Sequence, residues 1–154
     1  MLQAPEILGG VALGRNVPIP LPAKSLEVWG LDVRVQAGFP SQAEDDGGKR
    51  IDVLEHLVKH PQATYQMNVQ GESMREAGIF HGDVVLIDKA ISPRNGQVVV
   101  AIVDGEFTVK KLWMRAGRLK LMAANPTFPD IVPKDGQEVS IWGVVVASIT
   151  VHRT

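Results

Sequence analysis

From residue 63 onward, apolar and polar positions alternate in short blocks, and the breaks between blocks fall mostly on glycine, proline, asparagine and aspartate. Alternation with period two puts apolar side chains on one face of an extended chain. The pattern predicts strands over residues 63–69, 84–88, 97–103, 106–114, 118–123 and 139–151. Asp104-Gly105 separates two of these blocks and is a strong two-residue hairpin signal. Arg115-Ala116-Gly117 predicts a second, looser turn. One segment has helical period instead. Asp52 can cap a helix over residues 52–60, Val53, Leu54, Leu57 and Val58 form its apolar stripe, and Pro61 stops it. The expected fold is mostly β, a compact domain of short, largely antiparallel strands with one short helix.

Residues 1–50 read differently. Prolines at 5, 18, 20, 22 and 40 and glycines at 9, 10, 14, 30, 38, 47 and 48 interrupt every helical period. Short apolar pieces remain at residues 26–29 and 31–35, the second alternating like a strand, and residues 44–50 form a polar linker. The chain therefore divides into an extended N-terminal arm and linker over residues 1–50 and a folded domain over residues 51–154.

Composition narrows the chemistry. With 154 residues and 45% hydrophobic content, the chain can bury one real core. A formal net charge of −1 gives no bulk reason to bind nucleic acid or membrane, so direct DNA binding is not expected. Cysteine is absent, which excludes disulfides, thiol catalysis and thiolate metal sites. Residues 1–13 lack the charged start and apolar run of an export signal, and the apolar stretch 98–103 is too short to span a bilayer. A soluble, cytoplasmic protein with no cofactor is expected.

Two residues carry candidate chemistry. Ser73 sits in the glycine-led turn Gly71-Glu72-Ser73-Met74, which suits an exposed hydroxyl. A serine hydroxyl is a weak nucleophile unless a neighbour accepts its proton. A lysine can do so if burial keeps it neutral. Lys110 and Lys111 lie in an apolar strand pair with Val98, Val100, Ile102, Phe107, Val109 and Leu112, and alternation alone does not choose between them. The backbone N–H groups of Ser73 and Glu72 are candidates for an oxyanion hole.

Other groupings read more plainly. His56 and His60 have zinc-ligand spacing but no third ligand and no glutamate in the metalloprotease position, which makes them a solvated helix face. His81 and Asp83 are too near Ser73 on one loop to form a triad, and Gly82-Asp83 reads as a turn into the next strand. Lys110, Lys111, Arg115, Arg118 and Lys120 cluster in one hairpin, where charge protects edge strands. Trp29, Trp113 and Trp142 are scattered, as core or interface residues are.

From about Gln36 onward the chain resembles the LexA/UmuD family of self-cleaving serine peptidases. The motifs that carry the resemblance are Gly71-Glu72-Ser73-Met74, Gly78-Ile79-Phe80-His81-Gly82-Asp83, Arg94-Asn95-Gly96-Gln97-Val98-Val99-Val100-Ala101 and Asp104-Gly105-Glu106-Phe107-Thr108-Val109-Lys110, in the family's order and spacing. Ala37-Gly38 resembles the family's cleavage site. The resemblance implies Ser73 as nucleophile, Lys110 rather than Lys111 as general base, and a RecA–single-stranded-DNA filament as trigger. Gly38-Phe39-Pro40-Ser41 and His60-Pro61-Gln62-Ala63-Thr64-Tyr65 are closest to UmuD-like (MucA-like) members, although the arm is longer than expected for them and Ala37 is the repressor-like choice at the cut. Such members are homodimers that, once trimmed, join a UmuC-like Y-family catalytic subunit in an error-prone translesion polymerase of the SOS response. A LexA-like or phage-type repressor, a signal-peptidase relative and a non-catalytic dimerisation module are the alternatives.

Overall fold

The alternating strands from residue 63 onward join one sheet. The structure is a computed structural model, and it describes residues 19–20, 27–30, 37–38 and 48–154. The strands are β1 (Ile19–Pro20), β2 (Glu27–Gly30), β3 (Lys49–Asp52), β4 (Thr64–Asn68), β5 (Val84–Asp88), β6 (Val98–Val103), β7 (Glu106–Arg115), β8 (Arg118–Met122) and β9 (Val139–Ile149). Among the described residues, seven strands form one antiparallel sheet in the order β1-β4-β5-β9-β6-β7-β8, and β2 pairs with β3 in a separate two-stranded sheet. The expected mostly β, antiparallel architecture is what forms. Strand ends differ from expectation by up to two residues, as at β9, which stops at Ile149 rather than 151.

Alternation sorts the core onto the two faces of the sheet. Along β6, Val100 joins Met67, Val69, Met74, Ile79, Val85 and Ile87, whereas Val99 and Ala101 join Leu112, Leu121 and Val144. Trp142 flanks the first cluster, edge-on to Tyr65 at 5.2 Å and to Phe107 at 5.6 Å. Gly143 lets β9 close on β5, since a Cβ there would come within 2.5 Å of the Ile87 side chain.

Two sequence expectations need correction. The helix is shorter than 52–60. α1 spans Val53–Leu57, with Asp52 Oδ1 accepting the N–H groups of Leu54 (2.9 Å) and Glu55 (3.2 Å), as expected of the cap. Val58 already has extended backbone. His60 precedes a proline, which pushes it out of the helical region, and a 3₁₀ turn at Pro61–Ala63 follows. The second hairpin turn is not looser than the first. Asp104 and Gly105 have φ of 49° and 84°, and Ala116 and Gly117 have 50° and 74°. Arg115 pairs directly with Arg118, so both are two-residue turns of the same hand. Strand twist holds Ala116 in a conformation that alanine alone disfavours.

The strand-like residues 31–35 lie outside the described residues, as does most of the polar linker. No helix among the described residues is long and apolar enough to cross a membrane.

Candidate active site

The Ser73 turn belongs to the connection between β4 and β5. Two backbone bonds, Val69 N–H to Asp83 O (2.8 Å) and Gly82 N–H to Val69 O (2.9 Å), close the base of that connection. Met74 and Ile79 anchor it in the core. Gly71 has a φ of 94°, where a side chain would be strained, and its N–H donates to His81 Nδ1 at 3.0 Å. Asp83 accepts from Phe80 N–H at 2.8 Å. His81 and Asp83 therefore shape the turn, and neither bonds to Ser73.

A second segment clamps the turn from outside. Just after β8, Ala124 N–H donates to Ser73 O at 2.8 Å, and Ala124 O accepts from Glu76 N–H at 2.7 Å. Asn125 Nδ2 donates to Glu72 O at 2.8 Å. The carbonyls of residues 72 and 73 are thus engaged on one side. No hydrogen bond among the described residues takes their N–H groups.

Lys110 comes to Ser73 from β7. Its register partner is Val99, and its side chain is 8% exposed, whereas Lys111 is exposed. Lys110 Nζ lies 2.9 Å from Ser73 Oγ, 3.1 Å from Thr108 Oγ1 and 3.0 Å from Val109 O. The choice that alternation left open is made by which face of β7 meets the serine turn. Burial holds the Lys110 ammonium below the ordinary lysine value. Among the described residues, no carboxylate pairs with it to restore the charge. As an ammonium, Nζ donates to all three oxygens; once neutral, it can keep its bonds to Thr108 Oγ1 and Val109 O and turn a lone pair to the Ser73 hydroxyl.

The pair opens into a cleft of about 270 Å³, with residues 67–71 on one wall and residues 107–110 on the other. Ala37 and Gly38 are both exposed and do not line this cleft. The structure thus brings Ser73 and Lys110 together and leaves the expected scissile bond outside.

Sequence reading missed Thr108 and Asn125. Thr108 was findable, being two positions before Lys110 on the same strand face. Asn125 gave no signal beyond an Asn-Pro turn. The basic cluster is smaller than expected, because Lys110 points inward. Lys111, Arg115 and Arg118 are exposed, and Lys120 Nζ lies 4.9 Å over the Trp113 ring, on the hairpin that ends in the edge strand β8. His60 is not on the helix; its Nδ1 bonds the buried Asp88 carboxylate at 2.6 Å. His56 is exposed. The Trp29 side chain lies outside the described residues.

The clamp makes a testable contribution to stability. Asn125→Ala removes the bond to Glu72 O and another from Thr127 N–H to Asn125 Oδ1 (3.0 Å). A loss of about 1–2 kcal/mol in unfolding free energy is expected, read from urea denaturation. An unchanged midpoint would show that the Asn125 side chain adds nothing to the clamp.

Comparison with known proteins points the same way as the geometry. The sequence profile of a family described as Peptidase S24-like matches residues 27–146. The chain is 40% identical over 121 residues to the protein SamA of Salmonella typhimurium (strain LT2), covering 79% of this chain and 82% of SamA. It is 41% identical over 120 residues to the protein MucA of Escherichia coli, covering 77% and 82%. It is also 36% identical over 138 residues to a LexA repressor of Paracidovorax citrulli, covering 90% of this chain and 61% of the repressor.

Proposed function

Because this chain belongs to the Peptidase S24-like family, and within it to the LexA/UmuD group, we propose that it is a serine endopeptidase that cuts itself once, between Ala37 and Gly38. The observation that carries the reading is the 2.9 Å contact between Lys110 Nζ and Ser73 Oγ inside a cleft. Residues 1–50 are then the arm and linker that supply the substrate, and residues 51–154 the peptidase and dimerisation domain.

The residues divide the reaction as follows. The segment around Ala37 enters the cleft in extended form. Neutral Lys110 takes the Ser73 hydroxyl proton as Ser73 Oγ attacks the Ala37 carbonyl carbon. The N–H groups of Ser73 and Glu72 stabilise the oxyanion. The C–N bond breaks, the Gly38 amine leaves with a proton from Lys110, and water then frees the Ala37 carboxylate from the serine ester. Thr108 Oγ1 and Val109 O hold the amine in position throughout. Tethering supplies much of the rate, since a peptide on the same chain has a high effective concentration. Ala37 and Gly38 start outside the cleft, so entry of the arm precedes chemistry.

The LexA/UmuD resemblance extends the proposal to biology. A RecA–single-stranded-DNA filament promotes the cut in the cytoplasm during the SOS response. The trimmed homodimer then joins a UmuC-like Y-family polymerase subunit. The test is mass spectrometry after incubation with activated RecA. The expected products are residues 1–37 and 38–154, with Gly38 as the new N-terminus. A chain that stays whole, or is cut elsewhere, overturns the reading. The LexA match favours a second reading as a repressor, which specific operator binding in a gel shift would establish.

A further inference from the structure

Both described strands of the arm pair with chain on the far side of the proposed cut. β1 pairs with β4, Ile19 opposite Gln66 and Pro20 opposite Tyr65. β2 pairs with β3 over four positions, from Glu27 opposite Asp52 to Gly30 opposite Lys49. The chain between Gly30 and Lys49 therefore connects the two strands of one ladder, and the exposed Ala37 and Gly38 belong to that connection. Hydrolysis of a bond in that connection breaks neither ladder.

We propose that the cut protein keeps its arm: the fragment 1–37 stays on the body through the pairing of β1 and β2, and a separate step must strip it off. The inference rests on the proposed reading for the position of the cut alone. The two ladders reinforce each other. β1 is short and contains a proline, which cannot donate to a ladder, so alone it would hold weakly. Residues 21–26 join it to β2, which keeps β1 at high effective concentration beside β4 whenever β2 is paired.

The arm also occupies a surface. In the order β1-β4-β5, β1 covers the outer edge of β4, and without the arm β4 becomes the end of the sheet. That edge, at Tyr65 and Gln66, is then open to another extended segment adding by main-chain hydrogen bonds. Cutting alone does not expose it; losing the arm does.

The test must not depend on self-cleavage. In a full-length Ser73→Ala chain, the recognition sequence of a site-specific protease replaces residues 41–46, and the added protease nicks the connection. Native size-exclusion chromatography, with the peak resolved on a denaturing gel, is expected to show both pieces together. The double variant Val28→Pro, Trp29→Pro removes backbone donors at two adjacent positions, one of which faces β3. After nicking, its arm is expected to elute alone. An arm that leaves the unsubstituted nicked chain overturns the proposal. So does a double variant that retains its arm equally well. Failure of the Ser73 chemistry would instead appear as absent self-cleavage in the native chain and leaves this test intact.

Discussion

Ser73→Ala and Lys110→Ala each lose self-cleavage, while Lys111→Ala cuts at the native rate. The losses expected are about 10⁴-fold or more for the serine and about 10²–10⁴-fold for the lysine, the ranges seen when a peptidase loses its nucleophile or its general base. A gel time course in alkaline buffer reads all three. The contrast between the lysines is the informative part. Lys110 is buried against Ser73 Oγ, and its neighbour faces solvent from the opposite side of β7. Loss of cleavage in Lys111→Ala alone would overturn the assignment. Lys110→Met separates chemistry from folding, because it keeps an apolar stem of similar length and removes the amine. Its stability at pH 7 is expected to match or exceed that of the native chain, since a buried unpaired ammonium is a liability.

Self-cleavage in the absence of RecA accelerates with pH. Burial lowers the Lys110 pKa from its ordinary value of 10.5, and in the proposed mechanism the reactive form is the neutral one. Below the lowered pKa, each pH unit raises the neutral fraction about tenfold, so the rate should climb with a slope near one and level off before pH 10.5. The same shift governs stability with a definite sign. Between the lowered folded value and 10.5, the unfolded chain binds the Lys110 proton and the folded chain has lost it. The unfolding free energy contributed by this group therefore rises with pH across that window, and below it the folded state bears the full cost of the buried charge. Rates from pH 7 to 10, with urea midpoints at both ends for native and Lys110→Met chains, test both statements. A flat or falling rate counts against a lysine base.

Much of the sheet was legible because its strands alternate cleanly and its turns carry glycine. The β6–β7 hairpin follows directly from Asp104-Gly105, and β5 was placed residue for residue. The apolar stripe runs on through Val58 and so extends the predicted helix, whereas the backbone is already extended at Val58, before the proline at 61 can act. Ala116 hid the second tight turn, since nothing about alanine announces a left-handed backbone. At the site, both candidate residues were visible and their pairing was not. Lys110 and Lys111 are adjacent in a strand whose two faces both carry apolar side chains, so the pattern around them is symmetric. What distinguishes them is contact with the Ser73 turn, 37 residues away in the chain. Asn125 was invisible for the same reason, because its partner is the carbonyl of Glu72, 53 residues away.

The clamp on the serine turn has a mechanical consequence. The chain that carries Lys110 runs down β7, back up β8, and then grips the serine turn through Ala124 and Asn125. One hairpin thus works as a caliper, with the Lys110 amine on one jaw and the Ser73 backbone held by the other. Sliding β4 and β5 past β6 and β7 would carry the serine turn with the hairpin unless three hydrogen bonds broke first. These bonds brace the gap between amine and hydroxyl. If the chain cuts itself as proposed, what a trigger can still vary is delivery of the arm to the cleft.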